Sequence, residues 1–379
     1  MDQEIFHGRL VSAQGLTTAR DVAGLILFPS PNLTYLTGFE ESPSERHLLL
    51  VVPRDDEPTF VAPTMYAEQL AETPVADVRL WDDGDDPVAL LEDALSALAI
   101  RDGRILVDDR MWALFTQDLR RLLPDADFDL ASVVFEALRL RKDDVELEAL
   151  REAGALADRV LCELRSRGEA LVGTTEAELA DEIERLLADH GGVSPSFTTI
   201  VASGPNGARP HHHSGDREIR PGDPVVLDFG AYVDADLASG TARYPGDQTR
   251  TIVFDGEPPA TYREIHGIVE EAQAAAVDAV EPGVTAGSID RAARSVIEEA
   301  GYGDAFVHRT GHGVGLEVHE PPYIVGGNDR ELEPGMVFSI EPGIYLEGKY
   351  GVRIEDLVVV TEDGVERLND SPRGWEASV

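Results

Sequence analysis

The chain of 379 residues contains one cysteine, Cys162, and only two lysines, Lys142 and Lys349. A lone thiol excludes an intramolecular disulfide framework and fits a reducing compartment. No uninterrupted apolar run approaches the ~20 residues that span a bilayer. The opening "MDQEIFHGRL" has neither the basic nor the apolar region of a secretory signal. These absences imply a cytoplasmic protein. Positive charge is scarce as well: 32 Lys+Arg face 72 Asp+Glu, a formal net charge of −40, and arginine supplies nearly all the cations. The acids are spread along the chain rather than gathered in a tail. Self-repulsion at this density weakens the compact state in dilute buffer and molar salt screens it, as expected of a protein from a salt-in halophile. Nucleic acid and anionic membranes are poor partners for such a surface.

Hydrophobic residues make up 42% of the chain, enough for ordinary cores, and the length suggests two domains, one of them large. In the first third "VAGLILF", "HLLLVV", "TFVAP" and "RILVDD" read as strands. "DPVALLEDALSALA" and "MWALFTQDLRRLL" read as helices, and the alternation describes an α/β domain ending near Leu130. A long amphipathic helix then opens at "DDVELEALREAG", with Asp143 or Asp144 as its cap and Glu146 and Glu148 in its first turns. The expected domains are residues 1–133 and 141–379, with the boundary between Ala131 and Arg141.

The second part carries a faint internal repeat. "GTTEAELADEIERLLADHGG" and "GVTAGSIDRAARSVIEEAGYG" share a Gly-x-Thr start, an amphipathic helix and a closing glycine. Each is followed by Pro-Gly and an apolar strand, "RPGDPVVLDFGA" and "EPGMVFSIEPGI". Pro221 precedes Asp228 by seven residues, and Pro334 precedes Glu341 by seven, so each strand delivers a carboxylate at the same place. Two related halves about a pseudo-twofold axis are implied.

Four acids sit in or beside apolar strands: Asp228 in "VVLDFGA", Asp247 in "GDQTRTIVF", Glu341 in the middle of the apolar strand of "FSIEPGIY", ended by Pro342, and Glu355 in "GVRIEDLVVV". Arg353 lies two residues from Glu355, on the same face of its strand. A buried carboxylate is costly unless it is paired or bound to a cation. His312 joins the acids from a glycine-rich loop, "RTGHGVGLEVHEPP". One imidazole and several carboxylates make a hard, oxygen-rich site, suited to manganese or cobalt, with iron or zinc as alternatives. Four carboxylates exceed what one divalent ion needs, so two adjacent ions and hydrolytic chemistry are implied.

The order "HHHSGDREIRPGDPVVLDFGA", "GDQTRT", "GHGVGLEVHE", "SIEPGIY", "GVRIED" resembles the pita-bread metallopeptidases, in the Xaa-Pro dipeptidase (prolidase) and Xaa-Pro aminopeptidase branch. The resemblance covers the chain from about Leu140 onward, and "NLTYLTGF" extends it to a creatinase-like N-terminal domain. It implies an α/β (α+β) fold, with that domain followed by a pita-bread domain of pseudo-twofold halves. By resemblance the dimetal ligands are Asp228, Asp247, His312, Glu341 and Glu355, with Asp247 and Glu355 bridging and Glu341 also the proton acceptor. His319 would hydrogen-bond the scissile carbonyl, His211 would line the proline pocket, His308 would face the substrate, and Tyr345 and Arg353 would support the site. The implied substrates are proline-containing dipeptides or short peptides, with the dipeptidase slightly favoured, and the implied assembly is a homodimer.

Three points stay open in the sequence. Asp228 and Asp247 are 19 apart, longer than the family's usual hairpin, so "DADLASGTARYPG" reads as an extended tip and Asp234 or Asp236 competes with Asp247. His212 and His213 read as solvent-facing companions of His211. A metal-dependent lyase or a non-catalytic binding protein on the same scaffold are the alternative functions, although loss of ligands would mark the latter and all five are present.

Overall fold

The α/β alternation of the first third builds a six-stranded mixed sheet in the computed structural model, which describes residues 3–237 and 240–377. In spatial order the strands are Asp77–Trp81, Thr59–Pro63, Leu49–Pro53, Val22–Leu27, Gly103–Val107 and Ala126–Leu130. Val22–Leu27 runs parallel to Gly103–Val107 and antiparallel to Leu49–Pro53. These central strands are covered on both faces, so they are continuous apolar runs rather than alternating ones. Asp86 starts the helix Pro87–Ala97 by accepting from the amides of Val88 and Ala89, and Leu91 and Leu95 pack with Phe115 and Ile26 in the core.

Four helices of this unit escape the sequence reading, the short Pro31–Thr37 and Ala67–Leu70 among them. Gln3–Ala19 is only weakly amphipathic, and Ser132–Arg139, with Val134 and Phe135 buried, runs through the stretch taken as the domain boundary. The segment "NLTYLTGF" is the helix Pro31–Thr37, begun by Ser30 and ended at Gly38 with φ 68°. Contacts divide the chain into two units, Met1–Arg139 with Asp236–Ala242, and Leu140–Ala235 with Arg243–Val379.

The second unit begins where Asp143, not Asp144, caps the helix Asp144–Arg167. Its carboxylate accepts from the amides of Val145 and Glu146, and Glu146 reaches back to the Asp143 amide at 3.0 Å. The repeat then appears as two halves. Helices Asp144–Arg167 and Glu176–Asp189 accompany a sheet of Ile200–Ser203, Val225–Phe229 and Gln248–Ile252. Helices Tyr262–Asp278 and Ala286–Glu299 accompany a five-stranded sheet containing Gly311–Gly313, Val337–Ile340 and Asp356–Thr361. Thr175 and Thr285, the threonines of the two Gly-x-Thr starts, both precede their helices. Only Thr175 closes a reciprocal pair, with Glu178.

The stretch between Asp228 and Asp247 is a two-stage hairpin rather than one long tip. Val225–Phe229 pairs antiparallel with Gln248–Ile252, setting Asp228 opposite Thr249, and Ala231–Asp234 pairs again with Arg243–Pro245. The stages meet at Gly230 and Gly246, where a Cβ on Gly230 would lie 1.8 Å from the Gly246 carbonyl oxygen. The two halves of the unit are fastened beneath the site by ionic contacts. Arg250 Nη2 donates to Asp356 Oδ1 at 2.7 Å and Arg250 Nη1 to the Glu355 carbonyl at 2.5 Å, with both charged side chains fully buried. Arg367 and Arg373 reach the other oxygen of Asp356. Among the described residues no helix is long and apolar enough to cross a membrane.

Candidate active site

The chain between Arg309 and Glu320 folds as its glycines demand. Gly311–Gly313 is an inner strand so closely flanked that a Cβ at Gly311 would lie 1.8 Å from the Ser339 carbonyl oxygen, and one at Gly313 would lie 2.2 Å from that of Pro321. His312 is therefore held between two neighbours with no room for side chains beside it. Its Nδ1 lies 3.2 Å from the Gly313 carbonyl oxygen, which only accepts, so Nδ1 carries the proton. The Nε2 lone pair then faces Glu341 Oε1 at 3.4 Å and Asp247 Oδ2 at 3.7 Å. Burial first, and the neighbouring His319 second, depress the His312 pKa to about 3, so the ring is neutral at physiological pH.

Asp247, His312 and Glu355 each bring one ligand atom to a common point, all within 4.8 Å of one another. Asp247 lies one residue ahead of Gln248–Ile252. Glu355 fills the break between Tyr350–Arg353 and Asp356–Thr361, its amide donating to the Thr249 carbonyl at 3.0 Å. Glu341 stands at the end of its strand and not within it. Val337–Ile340 stops, Pro342 supplies no amide to continue the ladder, and Gly343–Leu346 enters a separate sheet with Tyr350–Arg353. The Glu341 amide donates to the Thr310 carbonyl at 2.7 Å. Asp234 and Asp236 are exposed and lie outside this group, Asp234 being paired with Arg243 at 3.0 Å.

Burial, reinforced by Glu355, Asp228 and Glu341, pushes the Asp247 carboxyl well above its ordinary range. Burial with Glu341 and Asp228 does the same to Glu355. Glu341 is pushed up to about 7 by burial, with Asp228 adding and Arg353 opposing. Arg353 brings a guanidinium into the group. It donates to Asp228 Oδ2 at 2.5 Å, to the Tyr345 hydroxyl at 2.9 Å and to Thr249 Oγ1 at 3.0 Å. Thr249 in turn donates to Glu355 Oε2 at 2.7 Å, so Arg353 and Glu355 converge on one hydroxyl although a strand break separates them. The other oxygen of Asp228, Oδ1, is buried without a hydrogen-bond partner. Three carboxyls that resist ionisation, a neutral imidazole aimed at them and an orphaned carboxylate oxygen form a donor set that fits divalent cations.

Above this floor opens a cleft of about 760 Å³, lined by all five of these residues together with His211, His308, His319 and Arg353. The His319 ring packs edge-on against His312, centroids 4.0 Å apart. His308 has both nitrogens engaged: Nδ1 donates to the Arg309 carbonyl at 2.7 Å, and Nε2 lies 2.9 Å from the Tyr345 hydroxyl. Burial lowers its pKa to about 4, so Nε2 accepts from Tyr345.

Two supports were not legible. His212 is not a solvent-facing companion of His211. Its Nε2 lies 2.7 Å from Glu176 Oε2, and Glu176, fully buried at the start of its helix, also accepts from the Ser203 amide and hydroxyl and from Asn206. His213 is exposed but lines the cleft. Lys142, one of the two lysines, is buried against Glu320 at 2.9 Å and anchors the residue after His319. A composition count marks such a lysine as rare and gives no hint of its partner, 178 positions away.

Residues 148–362 match the family described as metallopeptidase family M24, and residues 9–141 match the creatinase/prolidase N-terminal domain. A probable dipeptidase, PepE, of Mycobacterium tuberculosis is 42% identical over 381 residues, covering 98% of this chain and 96% of that protein. An Xaa-Pro dipeptidase of Lactobacillus helveticus is 38% identical, covering 90% of this chain and 91% of its own length. The crystal structure of dipeptidase PepE from Mycobacterium ulcerans superposes with a TM-score of 0.89 at 40% identity, covering 100% of both chains. The fold is accordingly a creatinase-type α/β domain followed by a pita-bread domain, and the chain belongs to metallopeptidase family M24.

Proposed function

We propose that the chain is a metal-dependent dipeptidase that hydrolyses the bond between an N-terminal residue and proline. The observation that carries this reading is the buried group of Asp247, His312 and Glu355 at the floor of the cleft, with Asp228 and Glu341 beside it. Those five residues would hold two divalent ions, manganese or cobalt in preference to iron or zinc. Bound there, the ions would supply Lewis-acid activation of water and of the scissile carbonyl. Glu341 would take the proton of the attacking water and pass it to the leaving nitrogen, a task within reach of a carboxylate that lines the floor of the cleft. His319 would donate to the carbonyl oxygen as charge develops on it. Arg353 and Tyr345 would hold Asp228 and His308 in place, and His211 would line the side occupied by the proline ring. Proline lacks an amide hydrogen and restricts the residue before it, so a dedicated pocket makes physical sense. The names of the Mycobacterium and Lactobacillus relatives support a dipeptidase, and the second supports Xaa-Pro specificity. A homodimer working in a salt-rich cytoplasm completes the proposal.

The test uses protein prepared in molar KCl and charged separately with Mn, Co and Zn. Ala-Pro, Ala-Ala and Ala-Pro-Ala-Ala are offered, and products are identified by mass spectrometry. Proline released from Ala-Pro alone supports the reading. Alanine clipped from the tetrapeptide would make the chain an aminopeptidase, and cleavage of none of them would end the peptidase assignment.

A further inference from the structure

The segments that carry His211 and His308 to the cleft are each tied to a helix of their own half. In the first half the helix acid is Glu176, which holds His212 and the turn at Ser203. The second half has its counterpart in Asp290, on the helix Ala286–Glu299 and only 2% exposed. Asp290 Oδ1 accepts from the Thr310 hydroxyl at 2.7 Å and from the Thr310 amide at 3.2 Å. Arg294, one helical turn further on, donates Nε to Asp290 Oδ2 at 3.2 Å and Nη2 to Oδ1 at 3.1 Å. These bonds repay the burial of the carboxylate. The pairing with Arg294 is ordinary for a helix, four positions apart, but the pairing with Thr310 joins the helix to the segment that leads into His312.

From Asp290 two routes lead to the site. Arg294 donates Nη2 to the His308 carbonyl at 2.9 Å and Nη1 to the Phe306 carbonyl at 3.2 Å. Its guanidinium carbon also lies 4.2 Å from the centre of the Phe306 ring, and that ring meets the His308 ring at a right angle, centroids 5.2 Å apart. Backbone and ring of His308 are thus both located by Arg294. The second route runs through Thr310, which is fully buried and whose carbonyl accepts from the Glu341 amide at 2.7 Å. Asp290 grips Thr310 by its amide and hydroxyl, and Thr310 grips Glu341 where the strand Val337–Ile340 has just ended. One carboxylate outside the cleft therefore holds two residues that line it.

We propose that Asp290 is a positioning residue for the active site, setting His308 through Arg294 and Glu341 through Thr310. This rests on the peptidase reading above, in which His308 faces the substrate and Glu341 takes the proton of the attacking water. The two routes have separable consequences. The Arg294 route bears on substrate binding, and the Thr310 route on proton transfer and on the metal, whereas a general loosening of the fold would mix them.

The experiment measures steady-state kinetics on Ala-Pro for the manganese-loaded parent, Arg294→Gln, Thr310→Val, Thr310→Ser and Asp290→Asn. Calorimetric titration of the metal-free proteins with manganese supplies a second readout. Arg294→Gln should raise KM by about 3- to 10-fold, the loss of its hydrogen bond to the His308 segment, with kcat little changed. Thr310→Val keeps the shape and removes the hydroxyl, so it should lower kcat and weaken manganese binding by about 10-fold each, with KM little changed. Thr310→Ser should restore both, and Asp290→Asn should show both kinds of defect. Kinetic constants like the parent's, or KM and kcat displaced together by the same factor in every variant, would overturn the inference. So would a Thr310→Ser variant as impaired as Thr310→Val. A parent without turnover would remove the peptidase reading, and the calorimetry would then decide: equal manganese affinity in the parent and Thr310→Val would overturn the inference.

Discussion

Lys142 Nζ lies 2.9 Å from Glu320 Oε1, and the two side chains are 0% and 5% exposed. Removing one partner of a buried pair strands the other charge, at about 3–5 kcal/mol. Lys142→Met should therefore lower stability by about that amount. Because Glu320 follows His319, kcat for Ala-Pro should fall as well. Lys142→Met combined with Glu320→Leu should recover much of the stability, since no charge is left unpaired. Urea unfolding of the single and double variants decides; a single variant as stable as the parent would show that the pair holds nothing.

Glu341→Gln keeps the shape of the side chain and removes its capacity to take a proton. Loss of a general base corresponds to roughly 10²- to 10⁴-fold in kcat. The expected signature is a collapsed kcat for Ala-Pro with the fold intact by circular dichroism. Parent-like turnover would assign the proton transfer to another group.

The carboxyls also set a pH dependence that metal should reverse. The Glu341 carboxyl in the metal-free protein titrates at about 7, against 4.5 for an ordinary glutamate. A carboxyl raised by folding favours the folded state below its ordinary pKa, and that advantage is lost as pH rises through about 7. Asp247 and Glu355 are displaced in the same direction. Divalent cations bind the deprotonated forms. The gap in melting temperature between metal-loaded and metal-free protein should thus widen from pH 5 to pH 8. A constant gap would mean that these groups are not where the metal binds.

Glu176 accepts from Ser203, Asn206 and His212, and its pKa lies below the usual range because those bonds outweigh the penalty of burial. Glu176→Ala would leave several buried donors unpaired, and about 2–4 kcal/mol of stability should be lost. The segment that carries His211 and His213 depends on this anchor. His212→Asn should therefore raise KM for Ala-Pro more than it lowers kcat, which steady-state kinetics on the two variants would read directly.

A net charge of −40 should make the melting temperature climb steeply with KCl up to molar concentration, as screening relieves the repulsion. Differential scanning fluorimetry across a KCl series tests this, and a flat profile would show that local pairs, not the overall field, set stability.

Much of the fold was legible in the sequence because its strongest signals are local. Apolar runs such as "LILF" and "LLVV" read as strands, and the Gly-x-Thr start that ends at Thr175 marks the helix that follows it. The candidate ligands stood out for the same reason, four being carboxylates in or beside apolar strands and the fifth, His312, an imidazole in a glycine-rich stretch. What escaped were partnerships across the chain. His212 looks like a spare histidine until Glu176, 36 positions away, is placed beside it. Asp290 and Thr310 meet only because the chain turns between them. At Glu341 the proline marked the end of the strand, but nothing local in "VFSIEPGIY" says that the chain then passes from one sheet to another.

The hairpin that carries Asp228 and Asp247 separates two kinds of distance. Asp228 faces Thr249 across the ladder whatever lies beyond Asp234, because register and not contour length fixes the pair. The tip is thus a place where evolution or an engineer can insert chain without moving the acids at its base. A search that scores candidates by the count of residues between the two aspartates would pass over molecules like this one. Anchoring instead on the threonine two residues after the second aspartate would find them.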